Sequence, residues 1–142
     1  MHLDRELSGI LVVSLEQAVA APYCGLLLAA AGARVIKVER PEGDFARSYD
    51  KGANGKSSIF AWLNRGKESI SLDLKDPKDK KLLEKILAKS DVFLSNLTPG
   101  SLKKLRLDYD QIKLINPRLI SCEINGYGEK KEAQSRKAYD FL

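Results

Sequence analysis

Three clusters of residues in this 142-residue chain have the types and spacing that holding an anion requires. Glu16-Gln17-Ala18-Val19-Ala20-Ala21 follows an apolar run and precedes Pro22. Its small side chains let a ligand reach the backbone, and a helix opening at Pro22 presents free N–H groups to a negative charge. The same stretch reads equally as a tight loop packed by alanines. Arg40 follows a second apolar run, where a dinucleotide-type domain places an acid for a ribose or a basic residue for a ribose-linked phosphate. A solvent-facing arginine is the plain alternative. Asn96-Leu97-Thr98-Pro99-Gly100 repeats the first pattern, with Thr98 as cap, Pro99 as first helical residue, and Lys103 and Lys104 one turn further on. Lys75 follows another run but sits beside Lys78, Lys80 and Lys81, which read as a solvated helix face.

Several chemistries are excluded. The single histidine, His2, leaves serine and cysteine triads without a base and leaves no closely spaced zinc ligands. There is no Gly-x-Gly-x-x-Gly and no Walker lysine motif. Cys24 and Cys122 lie in apolar segments and are expected as two small core residues in a reducing compartment. Lys and Arg number 24 against 19 Asp and Glu, a net charge of +5 spread along the chain. Such a balance suits a phosphate-bearing small molecule. The dispersed charge and the lack of an aromatic stacking platform argue against nucleic acid. The N-terminus is polar and mixed in charge, unlike a signal peptide. The longest apolar stretch, 18–31, is broken by Pro22 and too short to span a bilayer. A soluble, cytoplasmic protein is expected.

The elements that must position these clusters alternate. Residues 9–15, 34–39, 69–74, 91–95 and 119–124 read as strands, the first nearly continuously apolar, as a strand buried on both faces is. Helices are expected from Pro22 to Ala31, over 59–64, from Asp76-Pro77 with a buried stripe of Leu82, Leu83, Ile86 and Leu87, from Pro99 to Lys104, and over 109–115. Residues 44–58 have no period and read as a long surface loop. With 44% hydrophobic and 30% charged residues, the length and composition suit one domain, 1–142. The predicted class is α/β: an open, mostly parallel, Rossmann-like sheet with helices on both faces. Ala138-Tyr139-Asp140-Phe141-Leu142 opens an apolar element without a polar tail, so a portion of a longer chain with a sheet incomplete at its C-terminus is expected.

Taken together, the motifs are more specific than any one alone. Leu7-Ser8-Gly9-Ile10, Ala20-Ala21-Pro22-Tyr23-Cys24, Gly32-Ala33-Arg34-Val35-Ile36-Lys37-Val38-Glu39 with Gly43-Asp44 and Arg47, the segment 64–75, the segment 91–100 and Asn116-Pro117-Arg118-Leu119-Ile120 resemble the N-terminal portion of family III coenzyme A transferases of the CaiB/BaiF, formyl-CoA-transferase-like type. The wording of residues 13–22 is similar to the branch acting on short dicarboxylic acids. The resemblance implies CoA as a substrate rather than a tightly bound cofactor, acyl-CoA and a carboxylic acid as the reacting partners, and a homodimer of complete chains. It implies backbone contacts to CoA from Ala18, Val19 and Ala20, with Arg40 at the phosphate end and Leu72 and Lys75 near the adenine. Asn96 and Leu97 would lie along the CoA groove, and Lys104, Lys137 and Tyr139 near the phosphates and the active-site mouth. In the family an enzyme carboxylate attacks the thioester, giving an anhydride and then an enzyme–CoA thioester. That aspartate follows a further element, so Asp140 is not assigned its role. Lys104 stands where many relatives have arginine, giving a point charge in place of a fork. An α-methylacyl-CoA racemase is the alternative within the fold, although the histidine expected there is Tyr139. A non-catalytic CoA-binding module is the alternative outside it.

Overall fold

A computed structural model describes residues 5–128 and 138. Its strands are β1 (Leu11–Leu15), β2 (Arg34–Glu39), β3 (Glu68–Ser71), β4 (Val92–Ser95) and β5 (Ile120–Glu123). Between them lie α1 (Ala20–Ala30), α2 (Ser58–Asn64), α3 (Pro77–Leu87), α4 (Ser101–Leu105) and α5 (Tyr109–Ile115). All pairings are parallel, in the order β3-β2-β1-β4-β5, so the expected open Rossmann-like sheet is present. The chain builds outward from β1 to β3 and then returns to the other side of β1, bringing Leu15 into register with Ser95. This reversal is the switch point at which such sheets hold ligands.

Period-two alternation divides the core between the two faces of the sheet. Val13, Leu15, Val38 and Phe93 pack against Leu83 and Leu87 of α3, Leu102 of α4 and Ile112 of α5. Val12, Val35 and Leu94 face the other way, onto Ala21 of α1 with Leu28 and Ala29 at its margin. Each fully buried leucine or phenylalanine contributes about 1.5–3 kcal/mol relative to exposure. In α3, Asp76 caps the backbone N–H of Lys78 before Pro77, and Leu83 and Leu87 are buried. Leu82, expected in the stripe, is 41% exposed because it falls to the side of the narrow seam facing the sheet.

Four expectations are corrected. β3 ends at Ser71, three residues early, and Asp76 N–H donates to the carbonyl of Asp73 in the turn that follows. Thr98 and Pro99 do not open α4: Gly100 takes a left-handed conformation (φ +81°) and the helix begins at Ser101. Residues 44–58 are not a featureless loop, since Asp44 caps a 3-10 turn at Phe45–Ser48 and Asp50 gathers Gly52, Ser57, Ser58 and Ile59 around one carboxylate. Cys24 is only half-buried and Cys122 is exposed on β5, which forms an edge of the sheet among the described residues.

Candidate active site

The loop between β1 and α1 is clamped by three hydrogen bonds from two side chains. Asn96, just past β4, accepts the N–H of Gln17 at 2.9 Å and donates its own amide to the Gln17 carbonyl at 2.8 Å. Asp44 Oδ1 accepts the N–H of Ala18 at 3.1 Å. The peptide joining Gln17 to Ala18 is therefore held at both its carbonyl and its N–H. Ala18 sits at φ +62°, a left-handed conformation that disfavours any side chain. Val19 precedes α1 without a side-chain cap, and no acidic residue occupies the first turn. The opening of this eleven-residue helix thus offers N–H groups and a positive dipole end to an anion.

Behind the loop lies a balanced set of buried charges. Lys37 and Glu39, two apart on β2, point to the α1 side of the sheet. Lys37 Nζ lies 2.7 Å from Asp44 Oδ2 and 3.6 Å from Glu16 Oε1. Lys67 Nζ bonds Glu16 Oε1 directly and donates to the Pro22 carbonyl at 2.8 Å. Ser14 donates to the other Glu16 oxygen at 2.7 Å. The side chains of Glu16, Lys37, Asp44 and Lys67 are each at most 1% exposed, so two buried positive and two buried negative charges offset one another. Burial pushes the Lys67 ammonium below its ordinary value, Glu16 opposes this, and Lys37 reinforces it.

A third carboxylate closes the set. Glu39 receives the Arg47 guanidinium as a fork, Nε at 3.0 Å and Nη2 at 2.8 Å, together with the Asp44 N–H and the Ser69 hydroxyl. Burial alone would raise the Glu39 carboxyl. The bonds from Arg47 and Asp44 outweigh it and hold the group below the usual range. Arg47 also stacks its guanidinium carbon 4.0 Å from the centre of the Phe60 ring. Among the described residues no buried side-chain polar atom lacks a partner.

In front of the loop, at the carboxyl ends of β1 and β2, lies a cavity of about 460 Å³. Leu72, Leu97 and Leu105 supply apolar wall, and Arg40 and Lys75 are the cations on it. Arg40 is 59% exposed, and its Nε donates to the Gly43 carbonyl at 3.0 Å. The structure thus gathers four of the sequence-predicted site residues, Arg40, Leu72, Lys75 and Leu97, around one space. Gln17 also lines it, which brings the clamped loop of Ala18, Val19 and Ala20 alongside. Asn96 faces that loop and is occupied in holding it. Lys104 is exposed in the last turn of α4 and does not line the cavity. After β4, α4 begins at Ser101 and has five residues, with Lys103 and Lys104 in its last turn. Lys137 and Tyr139 lie outside the described residues.

Sequence reasoning missed the buried set of Glu16, Lys37, Asp44 and Lys67. One signal was available: Lys37 interrupts a β-branched run at the position, two after Val35, that faces the core.

Comparison with known proteins agrees with the geometry. The profile of CoA-transferase family III matches residues 7–142. The chain is 38% identical over 144 residues to succinyl-CoA:glutarate CoA-transferase of Homo sapiens, covering 100% of this chain and 33% of that protein. It is 38% identical over 135 residues to acetyl-CoA:oxalate CoA-transferase of Acetobacter aceti, covering 94% and 35% respectively. Among solved structures, a CAIB/BAIF family protein from Brucella suis superimposes with a TM-score of 0.87 at 38% identity, covering 95% of this chain and 37% of that one. The chain spans about a third of the length of the curated relatives it matches. Strand order, clamped loop and motif string all fall within the matched span, and on these grounds the chain belongs to CoA-transferase family III.

Proposed function

We propose that residues 1–142 are the CoA-binding N-terminal part of an enzyme that moves coenzyme A between an acyl-CoA and a carboxylic acid, a short dicarboxylate being the favoured acid. The observation that carries this is the cavity of about 460 Å³ at the sheet's switch point, apolar on Leu72 and Leu97 and cationic at Arg40 and Lys75. Its volume falls within the range of about 300–1,000 Å³ usual for small-molecule sites. An adenine suits the wall near Leu72 and Lys75, a phosphate suits Arg40, and the pantetheine arm runs past Leu97 toward the N–H groups of the 18–20 loop. Lys104, Lys137 and Tyr139 belong to the phosphates and the mouth in this reading. The names of the relatives, CoA-transferases acting on succinyl-CoA with glutarate and on acetyl-CoA with oxalate, support the substrate class.

The transfer uses covalent catalysis: an aspartate carboxylate attacks the thioester carbonyl and expels the CoA thiolate, the thiolate attacks the aspartyl carbonyl of the mixed anhydride and releases the donor acid as its carboxylate, and the enzyme thioester passes CoA to the acceptor acid by the same two steps in reverse, which regenerates the aspartate. Asp44 is unsuited to the attack, being buried with both oxygens engaged by Lys37, Ala18 and Ala46. The nucleophile is an aspartate beyond this chain. The working form is a cytoplasmic homodimer, consistent with an apolar face left open by Tyr23, Leu27, Ile59 and Trp62. Among the described residues no helix is long and apolar enough to cross a membrane.

Calorimetric titration of the chain with CoA and with 3′-dephospho-CoA tests the reading. CoA is expected to bind, and Arg40→Gln to weaken CoA about tenfold, ~1.4 kcal/mol, while changing 3′-dephospho-CoA less. A folded chain that gives no heat with millimolar CoA would overturn it.

A further inference from the structure

The buried charges behind the loop have a specific geometric result. One peptide, between Gln17 and Ala18, is fixed at its carbonyl by Asn96 and at its N–H by Asp44, and the next residue is left in a conformation that alanine resists. Asp44 is itself immobilised. Its Oδ2 meets Lys37 at 2.7 Å, its Oδ1 also accepts Ala46 N–H at 2.9 Å, and its own N–H donates to Glu39 at 3.0 Å. An unfavourable φ persists only where its surroundings over-determine it, and such strain collects at ligand-holding sites. Ala18 meets that description, next to Gln17, which lines the cavity, and held by Asp44 of the charge set.

We infer that Asp44, neutralised by Lys37, is a positioning residue that holds the Gln17–Ala18 peptide in the flipped orientation which aims the start of α1 at the ligand. This rests on the CoA-binding reading for the ligand's identity, while the clamp itself does not. Asp44 touches no ligand in this role. It acts through the backbone of Ala18, and Lys37 Nζ, 2.7 Å from Oδ2, keeps its buried carboxylate aligned.

Paired variants separate positioning from mere stability. Lys37→Met with Asp44→Asn removes both charges but keeps an acceptor for Ala18 N–H. Lys37→Met with Asp44→Leu removes the charges and the acceptor. Glu16 and Lys67 remain paired in both. Ala18→Gly is then added to each background and to the parent, and the denaturant midpoint is read. Glycine tolerates a positive φ, so Ala18→Gly raises the midpoint in the parent and in the Asn background. In the Leu background the loop relaxes, and the same change lowers it. One sign in all three backgrounds overturns the clamp.

CoA affinity by calorimetry is the second readout. The Asn pair stays within about threefold of the parent, and the Leu pair loses about tenfold or more. Equal affinity in the two pairs overturns the positioning role. If the parent itself fails to bind CoA while the sign of the Ala18→Gly effect still reverses, the ligand reading falls and the clamp stands. Should the Leu pair not fold, amide exchange in the parent decides: Ala18 N–H is protected well beyond Val19 and Ala20 N–H, and equal rates overturn the proposal.

Discussion

Asn96 and Gln17 are 79 residues apart and meet as an amide against a peptide, side-chain Oδ1 on the Gln17 N–H at 2.9 Å and side-chain Nδ2 on the Gln17 carbonyl at 2.8 Å. The pair ties the segment after β4 to the segment after β1 at the point where the strand order reverses. Replacing Asn96 by Ala leaves both backbone groups of Gln17 unpaired in a half-buried site, with an expected cost of ~1–3 kcal/mol. Asn96→Asp keeps the acceptor and loses the donor, and should fall between the parent and the alanine variant. Urea unfolding of the three proteins at neutral pH checks the order.

Glu39 gives the stability a defined acid limb. Its carboxyl is held below the ordinary value of 4.5, after burial is outweighed by the bonds from Arg47 and the Asp44 N–H. A group depressed on folding contributes stability that is fully present above its unfolded value and lost as pH falls through the folded one. Arg47→Gln should therefore be less stable than the parent at pH 7, with the difference closing as pH drops below about 4.5. Midpoints measured from pH 7 to pH 3 test this, and a gap that stays constant would show that Arg47 acts only through its stacking on Phe60.

Lys67 shapes the alkaline limb, with a slope of the same sign. Its ammonium is pushed below the ordinary 10.5, first by burial, so the unfolded chain holds the proton more tightly. Stability credited to this group therefore rises with pH between the lowered value and 10.5. Lys67→Met should abolish that alkaline slope. It also strips Glu16 of its nearest cation, at an expected cost of ~3–5 kcal/mol near neutrality. Thermal melts of both proteins across the alkaline range give both quantities.

Gly25 is buried inside α1 because of the same carboxylate. A Cβ there would stand 2.8 Å from Glu16 Oε2 and 3.0 Å from Lys67 Nζ. Gly25→Ala should therefore destabilise by ~1–3 kcal/mol, against the ~1 kcal/mol that helix propensity alone would add in its favour. Denaturant unfolding decides the sign.

Asp50 organises the segment before α2. Its carboxylate takes the N–H groups of Gly52, Ser58 and Ile59 and the hydroxyls of Ser57 and Ser58, and the bonds from Ser58, Gly52 and Ile59 lower its pKa. Asp50→Ala should expose residues 50–58 to limited proteolysis before the rest of the chain, while the global unfolding midpoint moves little. Mass mapping of the first cut provides the check.

The order and type of the elements could be read from the chain because they depend on local patterns. The β-branched runs at 11–15 and 34–39, the Asp76-Pro77 cap and Pro22 in the first turn of α1 each act within a few residues. The region of the site was legible for the same reason, since ligands gather at strand ends in such sheets. Thr98-Pro99 shows the limit: the local signal favoured a helix start, but the left-handed Gly100 set the boundary instead. Cys122 shows another, for its burial depended on whether β5 had a neighbour, a matter of sheet order.

What tertiary structure alone decided is the inner wall of the site. Glu16, Lys37, Asp44 and Lys67 carry no mutual pattern in the sequence, being separated by 21, 7 and 23 positions. Each alone would be expected at the surface, because a lone charge is costly to bury. Only when β1, β2, the turn after β2 and the segment before β3 come together do the two cations and two carboxylates offset one another. The charge that makes each residue look external is what holds the four inside, and it is their packing that sets Asp44 on the Ala18 N–H.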